Sequence, residues 1–291
     1  MSNFLIDKIK KYFPTSIKDQ VKNAVLGYRS LGIQSRTLPN FIIVGVQKGG
    51  TASLFYYLIQ HPQIVRPLQK QTFYFNERSH KSENWYRSNF PTISEMEKQR
   101  KIIGKQVVTL EATPDYIIYP GLPKRISTVL PQIKLICILR NPVARAISEY
   151  FYFDHYVSSS PSFKDKIQTE IKAFREKNEY QDYSKIFEYR HEYPILIRGL
   201  YELQLREWFN TFNLNQLLLV SSESFFKNKN ETLNKIAEFV GIDAFQINDD
   251  KVYNKTSNKK QVPQESIQIL NEFYKPFNEK LREKNLLDFN W

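Results

Sequence analysis

Along this 291-residue chain the apolar residues gather in short unbroken runs rather than in strict alternation. The clearest runs are residues 41–46, 107–110, 134–139 and 217–220. Short runs rich in Ile, Leu and Val predict strands buried on both faces. Helical spacing of apolar residues follows three of them, at 53–59 after the first, 142–153 after the third and 231–240 after the fourth. Strands alternating with helices predict right-handed crossovers and a mainly parallel sheet covered by helices on both faces. Residues 160–195 are charged and aromatic without β-branched runs, and read as helices and loop over that sheet. No repeat, low-complexity tract or Gly/Ser linker divides residues 39–291. The expectation is a single P-loop-like α/β domain over 39–291, preceded by a basic helical N-terminal extension over 1–38.

In such a sheet ligands bind outside the carboxyl ends of the strands. Two stretches with suitable chemistry fall there. "VGVQKGGTASL" (44–54) runs from a strand through a glycine-bearing turn into a helix, the arrangement that cradles an anion. It departs from the Walker pattern, in which Lys follows the second glycine of GxxxxG. Here Gly45 and Gly50 have that spacing, but Thr51 follows and the lysine is Lys48, upstream. Lys48 contributes charge, and Thr51 and Ser53 contribute hydroxyls. The plain alternative is a tight strand-to-helix turn with an incidental lysine. In "LRNPVARAISEY" (139–150) a buried strand delivers Arg140 at its end, Asn141 is placed to cap the next helix, and Pro142 suits its first turn. Ser148 lies about two turns into that helix. An arginine fork and a hydroxyl would clamp a second phosphate; a lone strand-end arginine is as often structural.

Composition narrows the partners. With 42 Lys+Arg against 30 Asp+Glu the net charge is +12, which favours anionic ligands. The aromatics follow core periodicity and no nucleic-acid motif appears, so nucleic acid is not an expected partner. The four histidines, His61, His80, His155 and His191, show no metal-ligand spacing, and no metal is expected. Cys137 is the only cysteine, an inert buried residue by its apolar neighbours; with no intrachain disulfide available, a reducing, cytoplasmic location is the expectation. No stretch approaches the roughly 20 apolar residues of a membrane span. The basic, weakly amphipathic N-terminus is expected to make at most a weak contact with a membrane surface.

Taken together, the two anion sites resemble those of the PAPS-dependent sulfotransferases, especially the heparan sulfate O-sulfotransferases and related bacterial enzymes. The likeness extends through "LEATPDYIIYP" (110–120), "RGLYELQLREWFNTF" (198–212), "SSESFFKN" (221–228) and "LLDFNW" (286–291), covering roughly residues 39–291. It implies a donor, 3′-phosphoadenylyl sulfate (PAPS), with one phosphate at each end of its ribose, and adenosine 3′,5′-bisphosphate (PAP) as product. It implies that Lys48, Gly49, Gly50, Thr51 and Ala52, with Ser53, hold the phosphosulfate, with Lys48 as catalytic electrophile, and that Arg140 and Ser148 hold the 3′-phosphate. "YNKTSNKKQ" (253–261) sits where relatives carry a closing loop, which makes Lys255, Ser257 and Lys259 donor-binding candidates. Tyr116, Arg198 and Tyr201 fall in family motifs beside the cleft and are expected on the acceptor side.

Two positions depart from the heparan-type pattern. Where those enzymes have a catalytic glutamate followed two residues later by histidine, this chain has Gln71 and Phe73, within "KQTFYFNE" (70–77). Where they have a lysine that contacts the anionic sugar, it has Ala112. An amide cannot accept a proton, so Gln71 and Phe73 are expected to bind the acceptor, and Glu111 becomes the first candidate for the base, with His61 second. The expected activity is transfer of a sulfuryl group from PAPS to a hydroxyl or nitrogen of a small metabolite, as in natural-product tailoring. A glycan or lipid O-sulfotransferase is the alternative, as is an inactive nucleotide-binding homologue. A P-loop kinase would need a Walker lysine after Gly50, which is absent.

Overall fold

A computed structural model describes residues 15–30, 35–154, 161–177, 182–248, 251–253, 262–284 and 291. Four strands, β1 (Phe41–Gly45), β2 (Leu110–Ala112), β3 (Lys134–Leu139) and β4 (Leu217–Ser221), form one parallel sheet in the order β2-β1-β3-β4. In chain order the helices are α1 (Thr15–Ser30), α2 (Thr51–Leu58), α3 (Glu83–Arg87), α4 (Ile93–Ile103), α5 (Leu122–Val129), α6 (Pro142–Asp154) and α7 (Phe163–Lys177). They continue with α8 (Tyr183–Glu188), α9 (Pro194–Ile197), α10 (Tyr201–Thr211), α11 (Ser222–Lys227), α12 (Lys229–Val240) and α13 (Gln264–Arg282). The expected α/β fold, a parallel sheet flanked by helices, is what the chain adopts.

Successive residues of a strand point to opposite faces, and here both faces are buried. Ile42, Val44, Leu135, Cys137, Leu139, Leu217 and Leu219 join one apolar layer with Tyr116, Tyr201 and Trp208. Phe41, Ile43, Ile136, Ile138 and Val220 join the opposite layer, with Leu54 and Leu58 of α2 and Leu233 and Ile236 of α12. A third apolar cluster joins α6, α7, α9 and α13, through Ala146, Phe174, Leu196 and Tyr274 among others. Cys137 sits fully buried, and burial pushes its thiol well above the ordinary value.

The second strand differs from its prediction. Val108 pairs in parallel with Ile64, outside the sheet, and the ladder with β1 begins only at Leu110 and takes in Glu111. A charged residue inside the strand broke the apolar run on which the expectation rested. The basic lead-in is docked on the domain: Leu26 is buried, and the Arg29 guanidinium donates to the carbonyls of Ser88 and Phe90 at 2.7 and 2.8 Å.

The strand order places a switch point between β1 and β3. Chain leaving β1 reaches β2 on one side, and chain leaving β2 returns to β3 on the other, so the switch point at which sheets of this kind form a ligand crevice lies at the carboxyl ends of β1 and β3.

Candidate active site

The turn after β1 is folded tightly against the end of β3. The Val46 amide donates to the Ile138 carbonyl at 3.0 Å, and the Gly49 amide to the Val46 carbonyl at 3.0 Å. A Cβ at Gly49 would lie 2.7 Å from the Ile138 oxygen and 2.9 Å from Val46 Cγ2, so no side chain fits there. Gly50 caps α2 with φ 104°, a left-handed conformation suited to glycine. The first amides of α2 have no partner within the helix and face the crevice end of the sheet. Thr51 and Ala52 are nearly buried at its start. Ser53 is turned inward: its hydroxyl accepts the Tyr253 amide at 3.0 Å, so its role here is to tie α2 to a distant segment rather than to face a ligand.

Lys48 and Arg140 sit on either side of the crevice and are joined through the backbone. Arg140 Nη1 donates to the Lys48 carbonyl at 3.0 Å, and the Tyr201 hydroxyl donates to the Arg140 carbonyl at 2.9 Å. The Lys48 ammonium rests 3.9 Å from the centre of the Tyr152 ring, a cation–π contact. Burial holds its pKa down to about 8; Glu149 opposes that shift, and Arg140 and Arg145 add to it. Burial likewise lowers Arg140, with Glu223 opposing. Asn141 Oδ1 accepts the Ala144 amide at 2.9 Å and caps α6, on which Ser148 lies. Two cations held half out of water at the mouth of a crevice favour an anion that brings its own negative charge.

Behind them runs a chain of alternating charges that the sequence motifs contained but sequence reasoning missed. Arg145, fully buried, pairs with Glu149; Glu149 lies 3.3 Å from Arg198 Nε; Arg198 pairs with Asp115. Arg145 also donates to the Ile195 carbonyl. Both arginines are pushed above their ordinary value by these carboxylates in spite of burial. Arg145 and Glu149 stand four residues apart on α6, a spacing that usually marks a surface pair. Their position on the same helical face as buried Ala146 was the available signal. Arg198, expected on the acceptor side, is engaged by two carboxylates. Tyr201, expected there too, is 1% exposed with its hydroxyl on the Arg140 carbonyl, so it braces Arg140.

On the other flank, residues 71–75 lie over the end of β2. Gln71 is half-buried and its amide makes no hydrogen bond among the described residues. Phe73 adopts φ 56°, a left-handed conformation uncommon for an aromatic residue. Beneath them Glu111 is fully buried. Its Oε1 accepts from Thr72, from Thr113 at 2.7 Å and from Tyr116 at 2.7 Å, and its Oε2 accepts from Tyr86 at 2.6 Å. Tyr116 is therefore an interior partner of Glu111 and not an acceptor-facing side chain. His61 is interior as well, its Nδ1 accepting the Gln63 amide and its Nε2 set 3.0 Å from the Asp243 carbonyl; burial lowers its pKa. Lys70, which the sequence reading passed over, is held down to about 8 by burial next to Gln71. Lys255, Ser257 and Lys259 lie outside the described residues. Among the described residues no cluster of His, Cys, Asp and Glu suits a metal ion.

A family model described as Sulfotransferase domain matches residues 38–283. The chain belongs to the sulfotransferase family. This sulfotransferase is 30% identical over 283 residues to mouse heparan sulfate glucosamine 3-O-sulfotransferase 3B1, covering 89% of this chain and 66% of the mouse protein. It is 30% identical over 279 residues to human heparan sulfate glucosamine 3-O-sulfotransferase 6, covering 88% of this chain and 74% of that protein. A Dictyostelium discoideum protein named membrane-associated sulfotransferase kil1 is 28% identical over 324 residues, at 87% and 66% coverage. Among solved structures, a sulfotransferase from Alicyclobacillus acidocaldarius superposes with a TM-score of 0.64 at 24% identity, over 87% of this chain and 98% of that one, and shares the fold.

These relatives overturn the cytoplasmic expectation. They include a membrane-associated enzyme and enzymes of heparan sulfate, and a single cysteine forms no intrachain disulfide in any compartment, so its number carried no information about location. Among the described residues no helix is long and apolar enough to cross a membrane.

Proposed function

We propose that this sulfotransferase moves the sulfuryl group of PAPS to a hydroxyl of a glycan and releases PAP. The observation that carries the donor half is the pair of half-buried cations, Lys48 and Arg140, at the carboxyl ends of β1 and β3, tied together by the 3.0 Å bond from Arg140 to the Lys48 carbonyl. In this reading Lys48, Gly49, Gly50, Thr51 and Ala52 receive the 5′-phosphosulfate, and Arg140 with Ser148 receives the 3′-phosphate. The acceptor oxygen attacks sulfur, the bond from sulfur to the bridging phosphate oxygen breaks, and the acceptor proton leaves to solvent or a base. Charge grows on the bridging oxygen only as that bond breaks, so the Lys48 ammonium interacts most strongly with the transition state. The leaving group's charge is met by protein cations, and no step requires a metal.

The relatives support a glycan over the small metabolite expected from sequence. Relatives named for heparan sulfate glucosamine match over 88–89% of this chain. Gln71 is what keeps a nucleotide-binding homologue without activity as the alternative, since an amide orients an acceptor but takes no proton. The test is transfer of label from ³⁵S-PAPS, in chelator, to N-sulfated heparan oligosaccharides, to unsulfated glycans and to phenols. Labelled glycan is the expected product. PAP binding without transfer to any of these would establish the inactive homologue, and labelled phenol with unlabelled glycan would return the small-molecule reading.

A further inference from the structure

Glu111 stands at the centre of a clamp that reaches the backbone of the acceptor-side turn through three hydroxyl groups. The Thr113 hydroxyl donates to the carboxylate and accepts the amides of Thr72 and Phe73, at 3.2 and 3.5 Å. The Thr72 hydroxyl donates to the carboxylate and accepts the Tyr74 amide at 3.2 Å. The Tyr116 hydroxyl donates to the carboxylate and accepts the Phe75 amide at 3.4 Å. A fourth link is by packing: Tyr86, whose hydroxyl holds the other carboxylate oxygen, stacks on Tyr74 with ring centres 4.4 Å apart. Four consecutive amides of the turn are thus fixed to one buried anion.

A hydroxyl can serve both partners only while its proton points at the carboxylate. The Glu111 carboxylate oxygen therefore sets the direction of all three hydroxyls, and through them the position of the backbone on which Gln71 and Phe73 ride. That turn is of a kind that needs holding. Phe73 sits at φ 56°, and a bulky residue keeps such a conformation only where its surroundings over-determine it. The burial of Glu111 places its carboxylate below the turn rather than at the crevice.

We propose that Glu111 is a positioning residue that acts through Thr72, Thr113 and Tyr116 to fix Gln71 and Phe73 against the acceptor, in place of the proton-accepting role expected from the sequence. This rests on the reading that residues 71–73 meet the acceptor.

The experiment compares wild type, Thr72→Val, Thr72→Ser and Glu111→Gln in the full chain with ³⁵S-PAPS and an N-sulfated heparan octasaccharide. Thr72→Val and Glu111→Gln are expected to raise the acceptor KM by about tenfold or more, as misplacement of a binding group does. PAP affinity and the shape of the kcat pH profile are expected to stay as in wild type, and Thr72→Ser, which keeps the hydroxyl, to retain the wild-type KM. An unchanged acceptor KM in Thr72→Val overturns the proposal. So does a Glu111→Gln enzyme that keeps its KM but loses the rising limb of the kcat profile, since that is the signature of a lost base. Should wild type label no glycan, the function proposed above fails and the clamp is read separately, by amide hydrogen exchange with PAP bound. The amides of residues 72–75 are expected to exchange roughly tenfold faster in Thr72→Val, with those of α12 unchanged; equal rates at 72–75 overturn it.

Discussion

Replacing Glu149 with Gln removes one charge from the middle of a buried chain of four. Glu149 is 3% exposed at its side chain, and Arg145, its partner, is fully buried. Arg145 then loses its counter-charge and is left with neutral partners such as the Ile195 carbonyl, and its Nε has no partner even in wild type. Arg198 is better placed to tolerate the change, because it is 20% exposed and retains Asp115. The loss therefore falls on Arg145, an uncompensated cation in the interior, for which removal of one partner costs about 3–5 kcal/mol. Against a total stability of roughly 5–15 kcal/mol this is a large fraction. It corresponds to a melting temperature lower by roughly 10 °C for a chain of this size. A second effect reaches the crevice: Glu149 supports the charged form of Lys48, so the variant's lysine is expected to titrate lower still and PAP binding at pH 8 to weaken further than stability alone explains. Thermal denaturation followed by calorimetry with PAP at pH 7 and 8 measures both. The double variant Arg145→Met with Glu149→Leu is expected to recover most of the stability, since apolar residues of similar size replace buried pairs at little cost. A loss for Glu149→Gln of less than about 1 kcal/mol, the scale of an exposed pair, would refute the reasoning, because it would mean that Arg145 is not isolated from water.

Three further outcomes are expected. PAP affinity should fall as pH rises through about 8, because burial holds free Lys48 near that value while a bound phosphate favours its ammonium form, so binding takes up a proton; Lys70 titrates in the same range, and calorimetry on Lys48→Gln, which should flatten the dependence, separates the two. Arg140→Ala should remove most of the preference for PAP over AMP, about 2–5 kcal/mol for a buried charge contact, and an unchanged preference measured by competition would assign Arg140 to structure. Gly49→Ala should push the turn away from Ile138, whose oxygen its Cβ would meet at 2.7 Å, and lower kcat by roughly 10²-fold, as a displacement near 1 Å does; normal turnover in the labelled assay would show that the turn can shift without consequence.

Much of the sheet was legible because parallel strands buried on both faces read as plain apolar runs, as β3 and β4 do. β2 was not, since the residue that matters most in it is charged, and a glutamate in a strand is readable only when the hydroxyls that surround it are known. Thr72, Tyr86, Thr113 and Tyr116 come from three separate segments and share no spacing. The positions of Lys48 and Arg140, the proposed donor half of the site, were legible because a glycine turn and a strand end announce themselves in one dimension. Its supports were hidden: Arg145 and Glu149 have the i,i+4 spacing of a solvated pair, and Tyr201 and Ser53 carry hydroxyls whose partners lie 61 and 200 residues away. Side chains named from motifs thus divided into those that face the crevice and those that brace it, a distinction that depends on burial and not on residue type.

The single bond from Arg140 to the Lys48 carbonyl makes the two ends of the crevice one rigid gauge. Because the guanidinium grips the backbone of the opposite loop, the interval between the two proposed anion positions would be set by the protein and not by whatever occupies it. A ligand is then measured by the spacing of its charged groups before their number counts. On the proposed reading, nucleotides with three phosphates in a row carry more charge than PAP yet are expected to fill only one end of the gauge, whereas a 2′,5′-bisphosphate would have the right number at the wrong interval.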